Sequence, residues 1–413
     1  MTSGLRRKFL FASLYFSEGA PIGFLWWALP TRLRASGLDV SEITGLLGIL
    51  VLPWAFKFLG APFIDVVRSP RWPLRAWIAT CQILMGLFLL PTLLLDWRAD
   101  FALIATLLIL HAFSAATQDV AVDAYALSVV PVVERGSVNA WMQTGMLIGR
   151  SIFGGGALLL DARVGPNATI VMLVIAIWST LAMLALAGEP EPARSGVTVA
   201  TRRHTFVTAL QEVLRKPTTW LVLVFAAIGG AGFESVGLLV GPYLLDRGFS
   251  SQQIGGFLFL PTVAAMILGA LVAGRRADRF DRRREAGLAL VLLAATILTL
   301  AALAAPGSWL TLALLALLYF FIGAFTTASY ALFMDMTDRR LGATQLSAYM
   351  SATNLCESGS AFAVGALVTA FGYGPAFSVM AMVSLVGLPV LWLLPRRGND
   401  LVREGRAGAA VGL

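Results

Sequence analysis

Charge is scarce in this chain. Of its 413 residues only 13% are Asp, Glu, Lys or Arg, roughly half of what a soluble domain of this size carries. Cysteine is nearly absent. Cys81 and Cys356 both sit inside apolar runs without metal-ligand spacing, so neither a disulfide framework nor a thiolate metal site is indicated. Histidine is limited to His111 and His204. No G-x-x-x-x-G-K-[ST] loop occurs, which argues against an ATPase. No H-E-x-x-H pair or Cys/His cluster suggests an intramembrane metalloenzyme. A Ser/His/Asp hydrolase would need His111 or His204, and His204 lies in a charged connecting segment. The expectation is no enzyme, no cofactor and no metal site. A cleavable signal peptide is not expected either. The run after the basic start Met1–Lys8 is full helix length, contains Glu18 and lacks a small-residue cleavage site.

What is abundant is apolar side chain. Hydrophobic residues make up 58% of the chain, and the mean hydropathy is +0.80. One water-soluble core cannot hide that much, so the solvent must be lipid. A transmembrane helix needs about 20 mostly apolar residues. Twelve such runs occur, at about 9–31, 42–64, 74–95, 101–127, 137–160, 166–187, 218–243, 251–273, 285–305, 309–333, 344–371 and 374–395. The gaps 305–309 and 371–374 are so tight that they require hairpins. The longest gap, 188–217, is charged and splits the chain into a six-helix bundle at 1–187, a cytoplasmic linker, and a second bundle at 218–413.

Basic residues set the orientation. With both termini cytoplasmic, the inner segments hold 24 Lys and Arg and the outer loops 5, with Lys57 and Arg150 inside spans. Basic residues spread over inner loops face anionic headgroups. The net charge of +8 therefore reads as a lipid contact and not as a nucleic-acid surface.

The two halves repeat. Gly37–Gly45 lines up with Gly248–Gly256. Tyr125-Ala126-Leu127 lines up with Tyr330-Ala331-Leu332, and Asn139-Ala140-Trp141-Met142 with Ser347-Ala348-Tyr349-Met350. The offset stays between 205 and 211. Parallel six-helix repeats are the architecture of the major facilitators, with the substrate site between the halves. The loop Gly274-Arg275-Arg276-Ala277-Asp278-Arg279-Phe280-Asp281-Arg282-Arg283 resembles the signature loop of that superfamily. A weaker copy after the second run keeps Asp65 and Arg68. An Asp at a helix N-terminus meets the positive end of the dipole, and flanking arginines latch neighbouring helices. Lys57, Asp65, Arg68, Gly274, Asp278, Arg279 and Arg282 are therefore candidates for a cytoplasmic gate. Positive-inside loops without a gating role are the plainer alternative.

Charged residues inside spans cost about 2.5–3.5 kcal/mol each on insertion scales, so each is a functional candidate. They are Glu18, Lys57, Asp119, Asp123, Arg150, Glu234 and Glu357. Asp119 and Asp123, four apart, share one helix face. Two neighbouring carboxylates in low dielectric cannot both ionise cheaply, which makes them candidate proton carriers; a structural network with Lys57 is the alternative. Glu18 lies in Ser17-Glu18-Gly19-Ala20-Pro21, where Gly and Pro can break the helix and expose backbone to a cavity. Glu18 and Glu357 join the proton-coupling candidates. Arg150, fixed in charge and forked in its donors, suits a carboxylate, either of a substrate or of Glu357. His111 at similar depth is a proton shuttle or a hydrogen-bonded packing residue. Trp26, Trp27, Gln118, Trp141 and Tyr349 complete the candidate lining of a substrate cavity, with packing and belt roles as alternatives.

Three stretches resemble a narrower family. They are Leu52-Pro53-Trp54-Ala55-Phe56-Lys57 on to Asp65, Thr117-Gln118-Asp119-Val120-Ala121-Val122-Asp123, and Glu134-Arg135-Gly136. They are similar to the branch of the major facilitator superfamily that holds the AmpG-type muropeptide permeases, the acetyl-CoA transporters and the inner-membrane siderophore permeases of the rhizobactin and pyochelin kind. The compact length and the opening Tyr15–Phe24 look more like the siderophore permeases. The resemblance implies an all-α inner-membrane protein of major facilitator fold. The intramembrane acids point to proton coupling, and the resemblance implies an importer, most like one for a ferric siderophore of the pyochelin type. The alternatives are a muropeptide permease, or an acetyl-CoA or drug-type transporter. The expected partners are a small-molecule substrate, protons and lipid, with the protein a monomer.

Overall fold

The computed structural model describes residues 3–57, 72–131, 134–187, 211–303, 308–337 and 342–395. Among them the regular structure is helical. Helix α1, Ser3–Gly23, passes into a π-turn at Phe24–Ala28 and then α2, Leu29–Ala35. The irregularity falls later than the Gly19-Ala20-Pro21 stretch suggested, and α1 continues past Pro21. Pro30 lacks the N–H that would bond the Trp26 carbonyl. The chain widens into the π-turn, where Leu29 N–H reaches back to the Phe24 carbonyl.

Helix α3, Val40–Ala55, follows, then α4, Leu74–Leu89, and α5, Phe101–Val129. Next come α6, Arg135–Phe153, and α7, Gly155–Val164, broken at Gly154, then α8, Pro166–Ala187. Beyond the linker, α9, Pro217–Ile228, and α10, Ala231–Leu245, form one rod interrupted at Gly229-Gly230. The rod of α11, Ser251–Phe259, and α12, Pro261–Arg279, breaks at Leu260. Then follow α13, Arg282–Leu303, α14, Trp309–Asp335, α15, Gly342–Phe371, α16, Tyr373–Leu385, and α17, Gly387–Leu393. Nine helices among the described residues are long and apolar enough to cross a membrane.

The internal repeat extends to backbone detail. Gly37 and Gly248 both take positive φ, at 89° and 84°, a conformation cheap only for glycine. Each precedes a capping box, Asp39 with Glu42 and Ser250 with Gln253, which satisfies orphan N–H groups at the helix start. Gly165 and Gly372 repeat the device, at φ 84° and 79°. Gly372 alone joins α15 to α16, the expected hairpin.

Close backbone approach holds α1 to α6. A Cβ on Gly19 or Gly23 would run into the carbonyls of Met146 and Arg150, and one on Gly145 into that of Ala12. In lipid, where apolar contact with tails is no worse than with another helix, such small-residue seams drive packing. Gly269 and Gly323 do the same for α12 and α14 against the Phe320 and Met266 carbonyls.

The segments before residue 187 meet those after 217 chiefly at one end. A Cβ on Gly241 would fall on Thr31, and one on Gly365 on Thr44. Ser358 Oγ donates to the Gly48 carbonyl at 2.7 Å, and Ser151 donates to the Phe259 carbonyl. Outermost, Arg34 Nε pairs with Asp246 at 2.9 Å, and Tyr373 OH donates to the same carboxylate at 2.7 Å.

Candidate functional site

Inward from that seam lies a cavity of about 430 Å³, walled by both sets of helices. The π-turn presents Trp26 and Trp27 to it, and the Pro53 turn of α3 presents Trp54. Trp26 and Trp54 meet edge to face with centroids 5.7 Å apart. Phe233 and Phe325 form a second such pair in the opposite wall at 5.8 Å. The wall thus combines aromatic rings with a set of charged and polar side chains.

One group of ionisable side chains comes from α1, α3 and α5. Lys57 Nζ lies 2.9 Å from Asp119 Oδ2. Asp123, one turn further along α5, accepts from Tyr15 OH at 2.5 Å. Glu18 reaches the Asp119 carboxyl, and its Oε2 has no partner. All five line the cavity. The shared face expected for Asp119 and Asp123 is present, yet the two acids take different partners. Lys57, expected at the gate, stands in the cavity instead. Tyr15 was missed by the reading of charges alone. Its signal is the i,i+3 spacing to Glu18 on α1.

A second group sits across the cavity. The Arg150 guanidinium stacks on Trp27, 4.7 Å from the ring centroid, and its Nε is buried without a partner. Glu357 accepts the Trp26 indole N–H. Glu234, in the first turn of α10, lines the same region. Of the two partners open to Arg150, a substrate carboxylate or Glu357, the ion pair with Glu357 does not form. The flat guanidinium takes the indole face, and the indole N–H of the neighbouring Trp takes the carboxylate.

Four expected lining residues lie elsewhere. His111 is fully buried and donates Nδ1–H to the Met85 carbonyl at 2.9 Å, the packing alternative. Gln118 donates to Ser17 Oγ at 3.0 Å inside the bundle, beside Gln82. Trp141 packs edge-on against Phe9, centroids 5.0 Å apart. Tyr349 is fully buried against Phe333 and receives Gln345 Nε2–H at 2.6 Å. None of the four is among the residues that line the cavity.

Among the gate candidates, Arg282 donates to the Ala331 carbonyl at 3.0 Å and to Asp335 at 2.8 Å, tying α13 to the end of α14. Gly274 lies in α12, where a Cβ would make ordinary van der Waals contact with the Thr327 methyl at 3.8 Å. The backbone of Asp278 and Arg279 continues α12. Asp65 and Arg68 lie outside the described residues. Nearby, Arg276 holds Glu285 with both carboxylate oxygens, at 2.7 and 2.9 Å.

Comparison with known proteins follows this geometry. A family model, the Major Facilitator Superfamily, matches residues 9–270 and 262–411. A putative transporter AmpG 4 of Rickettsia conorii is 25% identical over 398 residues, 92% of this chain and 95% of that protein. The anhydromuropeptide permease of Escherichia coli K12 is 27% identical over 278 residues, 65% of this chain and 55% of that protein. Among solved structures, a D-xylose-proton symporter superposes with a TM-score of 0.74 at 14% identity, covering 95% of this chain and 97% of that one. A bacterial homolog of the human lysosomal transporter Spinster, inward-facing and unoccupied, gives 0.67 at 15% identity, covering 95% and 94%. These structural likenesses carry the fold. Compact length does not separate the branches, because the Rickettsia relative matches along nearly all of its own length.

Proposed function

We propose that this chain, which belongs to the Major Facilitator Superfamily and is a multi-pass protein of the bacterial inner membrane, imports a muropeptide-type solute together with protons. It works by alternating access of two six-helix bundles, 1–187 and 218–413, joined by the linker between them. Both termini face the cytoplasm, where basic residues concentrate. The observation that carries the coupling is the Lys57–Asp119–Glu18 contact within the cavity. Two carboxyls in hydrogen-bond reach hold a proton between them. Lys57 offers Asp119 a counter-charge that makes proton release reversible. The seam at Arg34 and Asp246 is the outer gate, closed here. Arg282 and Arg276 brace the inner ends of the second bundle.

The muropeptide assignment rests on the names of the relatives and on an aromatic cavity with acidic and basic walls. No observation here favours the siderophore reading over it. The test is uptake of labelled anhydromuropeptide and of ferric pyochelin into proteoliposomes under an inward proton gradient. Muropeptide uptake that a protonophore collapses is the expected result. Ferric-pyochelin uptake alone would replace the substrate, and uptake indifferent to the protonophore would remove the coupling.

A further inference from the structure

A charge left unpaired inside a membrane protein is costly, and such charges mark substrate paths. The two ionic groups of the cavity differ in this respect. On the α1, α3 and α5 side, Lys57 pairs with Asp119, Asp123 takes the Tyr15 hydroxyl, and Glu18 contacts Asp119 and keeps one oxygen unpartnered, so the basic residue there does meet a carboxylate. Across the cavity the charges are unmatched. Arg150 has no carboxylate within 4.0 Å among the described residues, and Trp27 covers one face of its guanidinium. The Glu234 carboxylate takes no hydrogen bond or ion pair from the described residues. Glu357 takes a single indole N–H. Yet Arg150 lies within Coulombic reach of both acids.

We infer that this end of the cavity is a bipolar subsite for a zwitterionic, amino-acid-like end group of the solute. Stacking on Trp27 fixes the guanidinium plane and leaves its edge donors free, the arrangement that suits a carboxylate held bidentately. Glu234 and Glu357 supply the negative partners for an ammonium, in a wall that also holds the Trp26 and Phe233 rings. Had the three groups served only to neutralise one another, Arg150 would contact one of the acids. Instead they stand around open space. A cavity of about 430 Å³ is of the size that encloses small ligands. A purely anionic solute leaves the two acids unexplained, and a purely cationic one leaves Arg150 unexplained.

This inference rests on the cavity being the transport path, and it deepens the muropeptide reading by naming what the peptide end must carry. Its test does not use a muropeptide. The purified full-length protein is treated with phenylglyoxal, and modification of Arg150 is read by mass spectrometry. Three probes compete: alanyl-alanine, its C-terminal amide and its N-acetyl derivative. The expected result is protection by the free dipeptide, with at least about tenfold more of either blocked form needed for equal protection, the effect of losing one 1.4 kcal/mol contact. Glu234→Gln should erase the preference for the free amine while keeping that for the free carboxylate. Equal protection by all three probes, or none by the free dipeptide, overturns the subsite. Absence of muropeptide uptake with the dipeptide pattern intact overturns the substrate assignment only.

Discussion

Lys57 and Asp119 form a 2.9 Å ion pair that joins the end of α3 to the middle of α5. Asp119 is nearly buried, with its side chain 6% exposed against 21% for Lys57. Asp119→Asn leaves the Lys57 ammonium without its carboxylate. The expected outcome is loss of coupled uptake together with about 1–3 kcal/mol of stability, the cost of an orphaned buried partner. Lys57→Met combined with Asp119→Leu should recover the thermal transition but not the uptake. A double variant that transports normally would return the pair to a structural role.

Tyr15 OH donates to Asp123 at 2.5 Å. Tyr15→Phe removes that donor and little volume. A hydrogen bond to a charged group contributes about 1.5–3 kcal/mol, so uptake at limiting substrate should fall roughly tenfold or more. The check is initial-rate kinetics beside a melting curve. An unchanged rate would place Tyr15 outside the coupling machinery.

Much of this arrangement was legible in the sequence. The apolar runs and the charged linker marked the helices, and the Gly37 and Gly248 loops announced the repeat that the φ angles and capping boxes share. The intramembrane charges pointed to the cavity, and Glu18, Lys57, Asp119, Asp123, Arg150, Glu234 and Glu357 all line it. What could not be read was rotation about each helix axis. A helix that meets lipid on one side and protein on the other is apolar all round and shows no apolar stripe, so the pattern did not say that His111, Gln118, Trp141 and Tyr349 would lie outside the cavity lining. Pairing was hidden too. Nothing in the spacing says that Trp26 takes Glu357 and leaves Arg150 to Trp27.

The outer seam is open to a covalent test. A Cβ at Gly365 would lie 3.0 Å from Thr44 Cβ, slightly inside the ~3.5–4.5 Å of disulfides. Thr44→Cys with Gly365→Cys should cross-link on mild oxidation and stop uptake, and a reductant should restore it. Full transport by the oxidised pair would mean that this seam does not open.

Arg7 grips both oxygens of Glu134, each at 3.0 Å. The guanidinium holds the Glu134 carboxyl below the usual carboxylate range. A group depressed in the folded state stabilises above its unfolded value, and that contribution is lost as pH falls through the folded one. Acidification below the ordinary glutamate range should therefore loosen the junction of α1 and α6. Glu134→Gln should flatten that part of the stability profile in detergent. An unaltered acid limb would show that the pair contributes nothing there.

The most direct test of the account is proton movement itself. Anhydromuropeptide is added to proteoliposomes that carry a lumenal pH indicator and no imposed gradient. Lumenal acidification that accompanies solute entry, and that Asp119→Asn abolishes, is the predicted result. Solute entry with no change of lumenal pH would contradict coupled import through the Lys57–Asp119–Glu18 group.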